Sequence, residues 1–297
     1  MRKVILAIIL SVSSAFAIAK QVVPIVWPFA AGSAQASFLR ELIEESNKQQ
    51  DKYQFVFENK PGAGGAVAAN YVLNSNSFAL LGTTSAFFIR PIFFPNESYN
   101  VSSFAPVYVQ CTDQPLVLIS TKFKSFEDLK NNKRLTVGAI NGTITDVIVQ
   151  QLAKSLPGVT VDLIPYQGVL QSVNDVLSGQ LDMSVGFVAD VEQFVNLGRL
   201  SIVGMTGTID HSGYKTFNSQ KVSGFTRLAS SYSIMANKNA NPEMLEEIHR
   251  IFDKSANSTR LKTFYERDLC KPSNLSFKET GVQFNSWQTY WKEKLKK

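Results

Sequence analysis

Two short apolar segments in the first third of the chain each lead into a glycine-containing turn and then into a helical pattern. Val22–Trp27 precedes the turn Pro28–Ser33, and Tyr53–Phe57 is followed by a turn that contains Gly62–Gly65. A strand that runs through such a turn into a helix leaves backbone N–H groups unpaired at the helix start, where the helix dipole is positive. Such a helix start can hold a carboxylate or phosphate without Arg or Lys. The sequence therefore favours a protein that holds a small anion.

Residues 1–19 have the features of a secretory signal peptide. Arg2 and Lys3 form a positive start, Val4–Leu10 is apolar, and small residues around Ala17 and Ala19 fit a cleavage site. The apolar stretch is too short and too interrupted by serine to remain as a spanning helix. We predict cleavage near Ala19 and an exported mature protein, with an uncleaved N-terminal anchor as the alternative.

Charge and cysteine content exclude some classes of protein. The formal net charge is +6, and removal of Arg2 and Lys3 lowers it to +4 (6 − 2). Basic residues are spread along the chain, without the stripe that nucleic-acid binding requires. Cys111 and Cys270 are the two cysteines, and the sequence leaves a disulfide and two buried thiols equally open. Two cysteines and two distant histidines do not form a metal-ligand set, so we expect no metal.

Strand and helix patterns alternate through the chain, which predicts an α/β fold with largely parallel sheets flanked by helices. Leu135–Ser155 repeats the strand, polar glycine turn and helix order of Val22–Ser46. We therefore predict two lobes, each of which contributes a helix N-terminus to a shared cleft. The predicted boundaries are 20–119 plus 231–297 for the first lobe and 120–230 for the second. A further helix is predicted at Ser125–Lys130.

Enzyme motifs are absent from the sequence. No Gly-x-Ser-x-Gly turn, no Gly-x-Gly-x-x-Gly after a strand and no Walker lysine occurs. His211 and His249 have no neighbouring nucleophile pattern. We expect a binding protein that is not an enzyme and has no cofactor.

A set of short motifs occurs in order along the mature chain. They are PFAAG (28–32), ENKPGAGG (58–65), GTTS (82–85), FAPV (104–107), PYQG (165–168), LSGQLD (177–182) and LGRL (197–200). Together they resemble the substrate-binding receptors of tripartite tricarboxylate transporters, the Bug family, from Val22 to Trp291. The resemblance implies a monomeric periplasmic two-lobe clamshell of the type II binding-protein class. Such a receptor closes on a small carboxylate and serves membrane transporter subunits, without nucleic acid.

The resemblance also implies the ligand-binding residues. The binding site would be formed by two strand-to-helix turns, at 29–35 and 141–146, and by a third pocket wall at 83–85. The residues that these segments would contribute are Phe29, Ala30, Ala31, Gly32, Ser33, Gln35, Thr83, Thr84, Ser85, Asn141, Gly142, Thr143 and Thr145. Tyr166 and Gly168 fall at the cleft edge of the second lobe. Phe187 and Asp190, which follow a strand of that lobe, are further candidates.

Some positions depart from the family pattern. Ala36 stands where the family has Asp, and Arg90 stands where the family has Asn before proline. Arg90 could reach the cleft or form a surface ion pair. Asp146 could complement its helix dipole or contact the ligand, and the second role would imply an amine or hydroxyl on the ligand.

Two other functions are compatible with the sequence. One is a receptor that reports to a signalling protein instead of a transporter. The other is an exported hydrolase or isomerase on the same scaffold. A chemically unchanged retained ligand would count against the second.

Overall fold

The computed structural model describes residues 20–96 and 99–296, so the predicted signal peptide lies outside the described residues. The described chain forms two mixed β-sheets flanked by helices. This confirms the predicted α/β two-lobe class. Among the described residues, no helix has the length and hydropathy that a bilayer-spanning segment requires.

The sheet of the first lobe has six strands. They are β1 (Gln21–Trp27), β2 (Tyr53–Asn59), β3 (Leu80–Thr84), β4 (Phe104–Pro115), β10 (Ala229–Asn237) and β11 (Lys271–Pro272). Their spatial order is β11-β4-β10-β3-β1-β2. β1 pairs in parallel with β2 and β3, whereas β10 pairs antiparallel with β3 and β4. The carboxyl ends of β1 and β3 therefore lie side by side.

The sheet of the second lobe has five strands. They are β5 (Val117–Ser120), β6 (Arg134–Ala139), β7 (Thr160–Pro165), β8 (Met183–Gly186) and β9 (Ser201–Met205). Their order is β7-β6-β8-β5-β9. β6 pairs in parallel with β7 and β8, and β5 pairs antiparallel with β8 and β9. In both sheets, antiparallel pairs involve the strands at the lobe crossings, which makes the sheets mixed.

Helices cover both faces of the first sheet. The first-lobe helices are α1 (Ala34–Lys48), α2 (Ala66–Asn74), α3 (Ala86–Phe93), α7 (Pro242–Ala256), α8 (Thr259–Arg267) and α9 (Phe277–Lys294). Successive residues of a strand face opposite sides of its sheet. Ile25 accordingly packs in one buried cluster with residues of α1, α7 and α8, and Val26 packs in another with residues of α2, α3 and α9.

The second-lobe helices are α4 (Ile144–Ser155), α5 (Val169–Leu177) and α6 (Val188–Asn196). The buried cluster that contains Val26 continues without a break into residues of this lobe such as Ile119 and Val137. A shared apolar core therefore supports the contact between the lobes.

The chain passes between the sheets twice. Leu116 separates β4 from β5, and residues 206–228 connect β9 to β10. β5 pairs within the second sheet from Val117, and β10 pairs within the first sheet from Ala229. The lobe boundaries at 119/120 and 230/231 remain predictions.

The helix predicted at Ser125–Lys130 is wrong, since only a single 3-10 turn forms at Glu127–Leu129. Asp128 Oδ2 accepts the backbone N–H groups of Lys124 and Ser125, which makes a local turn in place of a helix start. Asn132 Nδ2 donates to the carbonyls of Asp128 and Leu129 and ends the turn. One helical turn without extension does not recover its nucleation cost.

Cys111 and Cys270 form a disulfide whose Cα atoms lie 5.7 Å apart. Cys111 is in β4, and Cys270 immediately precedes β11, which pairs with β4. The bond joins positions 159 residues apart in sequence. It decides between the two alternatives that the sequence left open.

Candidate functional site

The turns after β1 and β6 lie on opposite sides of a small cavity between the lobes. The cavity has a volume of about 40 Å³, which is enough for about three water molecules. Its lining residues are Trp27, Phe29, Ala30, Ser33, Gln35 and Thr84 from the first lobe and Ile140, Thr143, Ile144, Thr145, Gly168, Val169 and Phe187 from the second. Both lobes therefore contribute walls, and the lobes contact each other beside the cavity.

Ser33 fixes the turn at the start of α1. Its Oγ accepts a hydrogen bond from Ala36 N at 3.2 Å, and its own N–H donates to Ala30 O at 3.2 Å. Asn59, at the end of the neighbouring strand β2, donates from Nδ2 to Phe29 O at 2.7 Å. Asn59 thus stabilises the conformation of the turn. Because Asn59 belongs to the motif at 58–65, that motif has a structural role beside the site.

Thr143 fixes the corresponding turn at the start of α4. Its hydroxyl donates to Ile140 O at 2.8 Å and caps the helix by accepting from Thr145 N. Gly142, with φ 71°, donates from its N–H to Asp146 Oδ2 at 2.9 Å. Asp146 is buried, so the carboxylate that neutralises this helix start belongs to the protein itself.

Thr84 and Ser85 are neighbours in sequence but line different cavities. Thr84 lines the small cavity and accepts from Ala86 N at 3.2 Å. Ser85 donates to Ser230 Oγ at 3.4 Å and lines a crevice of about 650 Å³ beside the lobe crossings. The crevice is bordered by α9 aromatic residues such as Trp287 and Tyr290.

Neutral hydrogen-bond donors line the small cavity. The hydroxyls of Ser33 and Thr84 each accept a backbone N–H, and neither donates to another group among the described residues. The Nε1 of Trp27 is buried and has no hydrogen-bond partner in the same part of the chain. These three groups can donate to a ligand oxygen, and the remaining wall is largely apolar.

Several contacts hold the lobes together. Asp190 Oδ1, from α6, accepts from Ala34 N at 2.9 Å. Arg90, from α3, donates from Nη1 to Asn141 O at 3.0 Å, and its guanidinium lies over the Phe94 ring. These bonds join the two lobes beside the cavity.

Asp190 is only 6 % exposed. Burial raises the pKa of its carboxyl from 3.8 to about 6, although the N–H of Ala34 acts in the opposite direction. Among the neighbouring charges, Asp268 raises this pKa and Arg267 lowers it. Burial also raises the pKa of Asp268, against the ion pair with Arg267 at 3.0 Å.

The structure brings nine of the predicted site residues to the cavity wall. They are Phe29, Ala30, Ser33, Gln35, Thr84, Thr143, Thr145, Gly168 and Phe187. Four further lining residues were not predicted from the sequence, namely Trp27, Ile140, Ile144 and Val169. Each of the four is next in sequence to a predicted site residue or motif. This proximity in sequence was the one signal that could have identified them.

The other predicted residues do not line this cavity. They are Ala31, Gly32, Thr83, Ser85, Asn141, Gly142, Tyr166 and Asp190. Ala31 O accepts from Arg40, and the Tyr166 hydroxyl donates to Asp175 Oδ2. Arg90 and Asp146, whose roles were open, lie at the second turn, where Asp146 complements its own helix. Among residues 20–96 and 99–296, no cluster of His, Cys, Asp and Glu could hold a metal ion.

The chain has the two-lobe fold of the type II periplasmic binding proteins, with a cavity between the lobes. Residues 39–281 match the family described as "Tripartite tricarboxylate transporter family receptor" (TctC). The chain belongs to this family, which consists of solute-binding proteins and not enzymes.

Solved structures with the same fold include the periplasmic binding protein BugD, with a TM-score of 0.80 at 20 % identity over 92 % of this chain and 97 % of that one. MatC from Rhodopseudomonas palustris with bound malate has a TM-score of 0.82 and is 16 % identical, and the match covers 93 % of this chain and 99 % of MatC. An R. palustris protein with adipate has a TM-score of 0.82 and is 17 % identical, and the match covers 93 % of this chain and 96 % of that protein.

Among curated relatives, a UPF0065 protein of Pseudomonas sp. (strain P51) is 25 % identical over 63 % of this chain. Another, from Agrobacterium vitis, is 25 % identical over 66 %. The chain spans 59 % and 62 % of the lengths of these two relatives.

Proposed function

We propose that the protein is an exported receptor that captures a small carboxylate between its lobes and delivers it to the membrane subunits of a tripartite tricarboxylate transporter. We infer a carboxylate as the ligand from the interlobe cavity, whose lining has neutral hydrogen-bond donors but no basic side chain. Donors of this kind can hold a carboxylate without an ion pair. The family and the malate and adipate in related structures support the same class.

Capture follows from opening and closing of the lobes. The cavity of about 40 Å³ is smaller than an organic acid, so we infer that the lobes separate to admit the ligand. It then replaces contacts between the lobes with contacts to both, and this difference in affinity stabilises a closed complex.

The ligand class is tested by thermal-shift assays with mono-, di- and tricarboxylates, followed by calorimetry on each acid that stabilises the protein. We expect at least one saturable ligand. Thr84→Val and Trp27→Phe each remove one cavity donor and should weaken its binding about tenfold or more, the range for a hydrogen bond to a charged group. Thr263→Val, on exposed α8, is the matched control and should bind normally. No stabilising acid, or equal binding by all variants, would contradict the proposal.

Export is tested separately by cell fractionation and N-terminal sequencing of the mature protein. We expect a periplasmic protein that starts near Lys20. An intact N-terminus in the cytoplasmic fraction would contradict the predicted signal peptide.

A further inference from the structure

The interlobe cavity is lined by the N-cap residues of four helices, α1, α4, α5 and α6. Three of these helix starts already have a carboxylate of the protein. Asp190 accepts the N–H of Ala34 at the start of α1 and lies in the first turn of α6. Asp146 accepts the N–H of Gly142 at the start of α4. The positive ends of these three helices are therefore balanced from within the protein.

The start of α5 has neither a side-chain cap nor a carboxylate. Gly168, its N-cap residue, has no side chain that could accept a hydrogen bond, and the first turn contains no acidic residue. The N–H groups of Gly168, Val169 and Leu170 have no acceptor within residues 20–96 and 99–296. Gly168 and Val169 both line the cavity. This helix start favours an anion, because its N–H groups are unpaired and its dipole is not balanced.

The start of α5 faces the first lobe closely. A Cβ on Gly168 would lie 3.1 Å from the Cβ of Ala30, in the turn after β1. Glycine at this position therefore lets the helix start approach the first lobe.

Trp27, on the first-lobe wall of the same cavity, gives a second and independent observation. Its side chain lines the cavity, and the residue is only 3 % exposed. Its Nε1 is a buried donor without a hydrogen-bond partner among the described residues. Such a donor costs free energy, which a ligand oxygen in the cavity would recover.

We propose that the start of α5 is the binding point for a ligand carboxylate, with Trp27 Nε1 as a donor from the facing lobe. An ionised carboxylate has enough acceptor positions to bond the N–H groups of Val169 and Leu170 together with Nε1 of Trp27. Ser33 and Thr84 then donate to other oxygens of the ligand. This inference rests on the proposed function and specifies where the acid is held, at a helix start other than the two that the sequence predicts.

The first test removes one N–H group from the start of α5. Val169→Pro does so at the first helical position, where proline is compatible with a helix. Gly168 is extended, with φ −162° and ψ 154°, as the residue before a proline must be. We expect carboxylate binding to weaken about tenfold or more, the range for a hydrogen bond to a charged group. Thr259→Pro, at the first position of α8, is the matched control and should bind normally.

The second test adds a competing carboxylate. Gln171 is exposed in the first turn of α5, so Gln171→Glu places a negative charge at the same helix start. Binding should weaken about two- to fivefold, whereas the neutral Gln171→Met should bind like wild type. Gln180→Glu, beyond the other end of α5, makes the same change in net charge and should also bind like wild type. An acidic first turn stabilises a helix, so unfolding of α5 would not explain weaker binding by Gln171→Glu.

Calorimetry measures both tests with propionate, succinate, adipate and citrate, and with any other acid of the panel that stabilises the protein. Wild-type affinity in Gln171→Glu, or in a folded Val169→Pro, would overturn the inference while leaving the proposed function intact. Equal weakening by Gln171→Glu and Gln171→Met would overturn it too, because the effect would then not come from charge. Absence of binding by the wild-type protein for every acid of the panel would instead contradict the proposed function.

Discussion

The pH dependence of lobe closure gives the sharpest prediction. Asp190 is buried beside Ala34 of the other lobe, and burial raises the pKa of its carboxyl from 3.8 to about 6. In an open form the side chain regains water and its ordinary pKa. The open form therefore loses its proton first as the pH rises, so closure is fully favoured below about pH 4 and weakens until about pH 6.

The magnitude follows from the two pKa values. The interval between 3.8 and about 6 corresponds to a loss of about 3 kcal/mol of closure free energy. In Asp190→Asn the side chain does not titrate, so this pH dependence should disappear. Asp268, which is also buried, is unchanged in the variant, and the difference between the two proteins isolates Asp190.

Small-angle X-ray scattering of the ligand-free protein measures the result as the radius of gyration at about pH 5 and about pH 7.5. We expect wild type to be more compact at the lower pH and this difference to be smaller in Asp190→Asn. Asp162→Asn, at a half-buried carboxylate that pairs with Arg134 outside the cavity, is the matched control and should behave like wild type. A wild-type radius that is constant, or that shrinks as the pH rises, would refute the reasoning.

Two further predictions concern stability. Replacing Cys111 and Cys270 by Ala opens a loop of 159 residues and should lower the free energy of unfolding by about 5 kcal/mol through chain entropy. Urea unfolding measures this, and an unchanged midpoint would contradict it. Gly142→Ala places a Cβ 2.6 Å from Phe94 Cε2 at φ 71°, whereas Gly158→Ala at φ 87° meets no atom within 4 Å. Each substitution should lower the free energy of unfolding by about 1–2 kcal/mol, because alanine is strained in a left-handed backbone conformation. Gly142→Ala should in addition weaken ligand binding, because its Cβ would push against Phe94 of the other lobe. Equal ligand binding by the two variants would contradict a role of this contact between the lobes.

The first turn shows how far local sequence predicts the site. Its strand, its capping serine and the helix after it all follow from short-range rules, because they depend on residues within one turn of each other. The structure confirms the strand and shows a cap at Ser33 that was not predicted. Thr143 caps α4 for the same reason.

Ser85 shows where those rules stop. It adjoins Thr84, yet it lines the crevice beside the lobe crossings and donates to Ser230, 145 residues away. Trp27 shows the converse, since an apolar residue at a strand end looks like core but lines the cavity. Which way a residue at a strand end faces depends on the packing of the second lobe, and short-range patterns do not contain that information.

The sequence by itself determined the α/β class, the two strand-to-helix turns and the family, because each depends on local periodicity or on short motifs. Only the tertiary structure decided that Asp190 meets Ala34 across 156 residues and that Cys111 bonds Cys270. Contacts between such distant segments are set by how the lobes dock. Which residues of the two lobes meet around the cavity is therefore a property of the tertiary structure.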